Sequence, residues 1–297
     1  MFKRRATVWV LPLVLSGCGT GRKSQWETPQ PPAATVAQTK TAEPANDAGA
    51  AAENSWQRRS SKAALQDAVA RWESILAANP ADGATWAKIS RAYYFLADGY
   101  LRTDPKSDAY LDTFEKGTGA GERALAAISP EFKARVVKGD DVEDAIKVVG
   151  PEGLAAMYWY AVNLSKWSRA KGLAALLGNK ERVKSVVSRV LELDETFFHG
   201  APHRYFGAYW ALVPVGRDLE KSKQHFDKSL ALAPHYAGTK VLMAESYAVK
   251  KQDKALFLKL LDEVLAMPED AIADLVPETR VEKDKARELK AKVDELF

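Results

Sequence analysis

His199 and His203, four residues apart, stand in the most unusual run of the chain, from Phe197 to Trp210. On an unbroken helix this spacing would put both imidazoles on one face, as a metal site requires. Gly200 and Pro202 lie between them, however, and the spacing offers no third ligand, so no metal is expected. Pro202 suits the first turn of a helix, where its missing N–H costs nothing and the N–H groups that follow lack intrahelical acceptors. Such an end attracts anions, and His203 and Arg204 stand beside it, so a carboxylate can be held by backbone donors and the guanidinium. The alternative is an Arg204 that pairs within the chain, with Asp194 or Glu195.

A second cluster runs from Met157 to Trp167 and is aromatic around most of a helix circumference. Tyr160, Asn163 and Trp167 share one face, while Trp159 and Lys166 occupy another. Rings at helical spacing fill cores, yet an asparagine among them needs a partner, and the mixture also suits the lining of a cavity for an apolar molecule. The ligand set expected from sequence is therefore Tyr160, Asn163, Trp167, His203, Arg204 and Tyr209. Catalytic signals are missing: the chain carries no G-x-S-x-G elbow, no H-E-x-x-H and no Walker loop. Gly117-Thr118-Gly119-Ala120-Gly121 is glycine-rich, but its third glycine falls at the wrong offset for a dinucleotide loop, and it reads as a loop or helix opening. No catalytic residue, cofactor or enzymatic activity is expected.

Helices must position these groups, because apolar residues recur at three and four from Trp56 to Phe297 and no alternating pattern appears. The class is all-α. Leu65, Ala68, Val69, Trp72, Ile75 and Leu76 make one stripe, Trp86, Ile89, Tyr93 and Leu96 another, and Asn79-Pro80-Ala81-Asp82-Gly83 turns the chain between them. Further helices are expected near 106–129, 131–148, 152–170, 180–193, 202–213, 218–233, 237–250, 253–266 and 279–296, the last opening with Thr279 and Glu282 in capping-box spacing. Ala68, Trp72, Ile75 and Pro80 step by four, three and five, and Ser222, Phe226, Ser229 and Pro234 repeat those steps. These are the offsets of tetratricopeptide repeats, in which small residues let paired helices approach and rings fill the gaps. The register is poor from about 104 to 201, so the expectation is degenerate tetratricopeptide-like hairpins stacked in a curved array.

Cys18 is the only cysteine, which excludes a disulfide framework and cysteine-ligated metals. It closes Leu15-Ser16-Gly17-Cys18 behind Lys3, Arg4 and Arg5 and the apolar run Ala6 to Val14, which is too short to span a bilayer. This arrangement resembles the signal and lipobox of a bacterial lipoprotein, and implies cleavage after residue 17 and acylation of Cys18. The formal net charge of +4 falls close to zero once Lys3, Arg4 and Arg5 are removed, and no basic stripe is present, so nucleic acid is not an expected partner. Between 18 and 55 the chain is rich in Ala, Thr, Gln and Pro and almost empty of Leu, Ile and Phe, the signature of a disordered tether spanning on the order of 35 Å. The domain order expected is a signal peptide at 1–17, a tether at 18–55 and a helical domain at 56–297.

The lipobox, the degenerate hairpins, the run His199-Gly200-Ala201-Pro202-His203-Arg204 and the later Asp218-Leu219-Glu220-Lys221-Ser222-Lys223-Gln224-His225-Phe226 together resemble the T-component lipoproteins of tripartite ATP-independent periplasmic (TRAP) transporters. Gly-Gly after the first histidine would be more usual there than Gly200-Ala201. The resemblance implies a periplasm-facing helical protein held to a membrane by its N-terminal lipid, the outer membrane by preference since Gly19 follows the cysteine. It also implies a homotrimer with a pore or cleft through each subunit, docking the solute-binding P component and passing a hydrophobic or amphipathic organic acid. The alternative is an envelope assembly scaffold that binds peptides in a concave groove.

Overall fold

The computed structural model describes Arg22, residues 24–26 and residues 45–297. The expected signal peptide 1–17 and Cys18 lie outside the described residues. The described residues hold helices and turns and no strand.

Helix α1 (Ala45–Gln57) pairs with α2 (Lys62–Ala78), which starts where Ser61 accepts from the Ala64 N–H. Leu65, Ala68, Val69, Trp72 and Leu76 of α2 are buried, each large side chain worth about 1.5–3 kcal/mol. The chain reverses at Pro80, whose carbonyl accepts from Trp86 Nε1 at 3.0 Å. Asp82 then caps α3 (Gly83–Phe95) by accepting from the Thr85 N–H at 3.0 Å. Gly83, expected as part of the turn, is the first residue of α3. A Cβ there would stand 2.5 Å from Ile128 Cγ1, so its work is close approach.

Helix α3 runs straight into a π-helical segment, π1 (Leu96–Leu101), and packs on α4 (Asp108–Ile128). The Gly117 to Gly121 run lies in the middle of α4, not at a loop or helix opening, because the absence of side chains there admits a neighbouring backbone. The single helix expected over 131–148 is broken. Helix α5 (Pro130–Lys138) stops at Gly139, whose φ of 105° no other residue type adopts comfortably, and α6 (Val142–Ala145) follows.

Helices α7 (Leu154–Lys171) and α8 (Leu173–Leu193) form the middle of the molecule, α7 against α3 and α4 on one side and α8 on the other. Next comes α9 (Phe197–Leu212), packed on α10 (Leu219–Leu232), which Asp218 caps. Helix α11 (Ala237–Met243) continues into a second π-helical segment, π2 (Ala244–Ala248), and into α12 (Val249–Lys251). Helices α13 (Lys254–Ala266), α14 (Val276–Ala291) and α15 (Val293–Leu296) complete the chain. Thr279 and Glu282 do not cap α14, which starts three residues earlier behind a short turn and carries Pro277 in its first turn.

Two parts of the expected 18–55 tether are structured. Helix α1 is alanine-rich and buries Ala52 and Trp56, and Trp26 is buried between Phe132 and Tyr160. Alanine favours helix by itself, so a segment poor in Leu and Ile still folds when one tryptophan anchors it.

Helix α14 returns to the segment that follows α1. Arg59, just after α1, gives two hydrogen bonds to the Glu278 carboxylate, at 2.8 and 3.0 Å, and a third to the Asp274 carbonyl. Lys285 reaches Asp98 on π1, and Arg102 reaches Glu288 at 2.6 Å. Helix α14 is thereby tied to the segment after α1 and to π1, and it forms one wall of a hollow.

Candidate ligand-binding cavity

A cavity of about 290 Å³ opens where α3, π1, α7, α9, π2 and α14 face one another. Tyr94, Phe95, Tyr110, Tyr158, Trp159, Phe198 and Tyr236 supply its rings. Its charged groups fall into two sets with different degrees of compensation.

In the first set Glu278 serves two guanidiniums, Arg59 and Arg91, the latter at 3.1 Å. Arg204 lines the same wall and has no carboxylate partner among the described residues. Its Nη1 donates to the His199 carbonyl at 3.1 Å, its Nη2 is 3.4 Å from the Phe198 carbonyl, and its guanidinium lies 4.2 Å from the centre of the Tyr236 ring. Asp194 and Glu195, the internal partners considered from sequence, are engaged elsewhere. Asp194 accepts from the Thr196 N–H at 2.8 Å, and Glu195 contacts His203 and Lys228, each at 3.0 Å. Burial, with Arg204 and Arg91 nearby, holds the His199 imidazole below its ordinary range, so the ring stays neutral and the guanidiniums carry the charge.

In the second set Asp98 sits between Lys166, at 2.8 Å, and Lys285, which also binds Glu282 at 2.8 Å. Burial alone would raise the Asp98 carboxyl. The two ammonium groups outweigh it and hold the carboxyl well below the usual carboxylate range. Glu245 lines the hollow on its exposed side and makes no hydrogen bond or ion pair among the described residues. Asp98 lies on π1 and Glu245 on π2, and the wider π turn is a feature often found at sites of function.

Arg204 is placed by an unusual backbone. Phe198 (φ 40°), His199 (φ 62°) and Gly200 (φ 68°) form a left-handed turn inside α9, after which Pro202 occupies the first right-handed turn. Left-handed conformation costs a non-glycine residue roughly 1–2 kcal/mol. Packing offsets this: the Phe198 ring meets Trp159 edge to face at 5.0 Å, and the His199 ring stacks on Tyr236 at 5.3 Å. Gly200 abuts α10, where a Cβ would stand 3.2 Å from Ser229 Cα. Gly200→Ala should therefore lower stability by about 1–2 kcal/mol, read as a lower thermal midpoint by circular dichroism. An unchanged midpoint would mean that the turn relaxes freely.

Of the ligand residues expected from sequence, Arg204 alone lines the cavity. Tyr160 and Asn163 face α4, where Gly121 and Gly117 leave them room. The partner that Asn163 needed is backbone: Nδ2 donates to the Trp159 carbonyl at 2.7 Å and the Ser90 carbonyl at 3.0 Å. Trp167 is buried in the core. His203 turns away to His225, with the two Nδ1 atoms 2.9 Å apart, and burial with His203 and Lys228 pushes His225 down to about 4. Tyr209 stacks on Tyr205 at 6.0 Å. The face of α7 that does line the hollow is the one carrying Trp159 and Lys166. Arg91, Tyr236 and the acids of α14 were missed, since residues of ordinary type so distant in sequence carry no local signal.

Fold and cavity together define a helical protein with an aromatic hollow and a guanidinium that has no carboxylate partner among the described residues. The family profile described as TRAP transporter T-component matches residues 61–297, and the chain belongs to that family. No curated protein matches the sequence. No helix among the described residues is long and apolar enough to cross a membrane.

Proposed function

We propose that this T-component works by noncovalent capture of an amphipathic organic acid in the cavity, and that it is not an enzyme. The uncompensated Arg204 carries the reading. A guanidinium removed from water and held only by carbonyls, the Thr239 and Tyr158 hydroxyls and a ring retains its charge for a carboxylate. The rings of Tyr158, Trp159, Phe198 and Tyr236 would cover the apolar part of the ligand, and Arg91 would be the second guanidinium within its reach. The hollow has the volume of roughly ten waters, which suits a small metabolite better than a peptide.

In the full reading the chain is held by an acylated Cys18 and faces the periplasm, from the outer membrane by preference. It forms a homotrimer and docks the transporter's solute-binding protein, exchanging the acid with it. The hairpins α2–α3 and α10–α11 are read as tetratricopeptide-like units of a curved stack. Native mass spectrometry of gently purified protein should reveal a copurifying organic acid. Arg204→Gln should weaken its binding about 30-fold, the effect of removing one partner of a buried charge contact. A ligand-free protein that also fails to bind the solute-binding protein would leave the envelope scaffold as the better account.

A further inference from the structure

Glu122 stands in the second half of α4 and is fully buried. Its carboxylate is satisfied from a distant part of the chain. Arg22 gives it a two-pronged contact, Nη1 to Oε1 and Nη2 to Oε2, each at 2.6 Å, and the Gln25 N–H donates to Oε2 at 2.8 Å. Arg123 returns a hydrogen bond to the Gln25 side chain at 3.0 Å. Trp26 then enters the core, 4% exposed, edge-on to Phe132 at 5.7 Å and to Tyr160 at 5.8 Å. The seat is made for it, since a Cβ on Gly119 would stand 3.1 Å from Gln25 Cγ. A fully buried carboxylate is costly unless paired. Every hydrogen bond to it among the described residues comes from Arg22 and Gln25.

We propose that Arg22, Gln25 and Trp26 form a latch that fixes the helical body close to its membrane anchor. The membrane half of this proposal rests on the reading of Cys18 as the acylated residue. Three residues lie between Cys18 and Arg22, so four steps of chain join them, a reach of at most about 14 Å. The body therefore does not ride on the long leash that the composition of 18–55 suggests. The face made by α4, α5 and the start of α7 is turned toward the lipid, and the cavity keeps a set height above it.

The test is hydrogen exchange and trypsin cleavage after Arg22 on the full-length acylated protein in nanodiscs, compared with Trp26→Ala and Glu122→Gln. Glu122→Gln keeps the side-chain shape, so a variant that folds is in hand even if Trp26→Ala does not. The latch should slow exchange around residues 22–26 and cleavage by on the order of 10-fold relative to both variants, with α8 and α13 unchanged. Equal rates in all three proteins would overturn it. Protection that rises with protein concentration would also overturn it, by assigning the segment to a neighbouring copy. Retention of Cys18→Ser at the membrane after a salt wash would remove the anchor, and with it the membrane half, while slow exchange around residues 22–26 would still establish the clamp on α4.

Discussion

Asp98→Ala should lower the unfolding free energy by about 3–4 kcal/mol, because removing one partner of a buried ion pair leaves the other charge uncompensated. Here two cations depend on one carboxylate. Lys285 keeps Glu282, but Lys166 has no other ion-pair partner among the described residues. The value lies toward the lower end for such losses because the Lys166 side chain is 34% exposed, with cavity space to turn into. A pH signature accompanies the loss. The Asp98 carboxyl is held below its unfolded value, so its contribution is complete above an unfolded pKa of about 4 and disappears as pH falls through the folded one. Urea unfolding of the wild type should therefore weaken progressively below about pH 5, and Asp98→Ala should flatten that decline. A variant within about 1 kcal/mol of wild type, with the same acid slope, would show that the lysines find other partners.

Gly121→Val should cost about 3 kcal/mol by forcing α4 and α7 apart. Even the first carbon added at this position would meet Tyr160, 2.6 Å from its Cβ and 2.7 Å from its Cα. Backbone cannot swing aside as a side chain can, so the helices must separate, and Asn163 would lose its fit against Gly117. Against this, replacing a helical glycine gains at most about 1 kcal/mol of propensity. Gly49 of α1 isolates that gain, since a Cβ there meets nothing within 4 Å. Gly49→Ala should be stabilising by up to about 1 kcal/mol while Gly121→Val is destabilising. If both shift the denaturation midpoint in the same direction, close approach is not what Gly121 provides.

Helices α2, α3 and α10 were legible because punctuation and stripe agree there: Pro80 and Asp82 lie at the turn between Trp72 and Ile89, and Asp218 opens the helix that buries Phe226. Helix α1 was not, since its stability comes from alanine propensity and one tryptophan, which a count of large apolar residues overlooks. The break at Gly139 and the left-handed turn at Phe198 to Gly200 depend on what packs around each glycine, which no local pattern carries. At the site, Arg204 was legible from the proline-started helix beside it. The choice between the two faces of α7 was decided by glycines on α4, a helix read as containing a loop. Arg59 and Glu278, partners across almost the whole chain, share no sequence signal at all.

The two π-helical segments carry one further consequence. A π turn holds about one residue more than an α turn, so removing a single residue from either segment rotates everything beyond it by roughly 100° about the axis. Loss of one residue within Ala244–Ala248 would let α11 and α12 fuse as ordinary helix while swinging the Glu245 position off the inner wall. Two chains differing by one deletion would then share every helix, yet one hollow would lack a carboxylate that the other holds, a change of cargo made by a slip of phase.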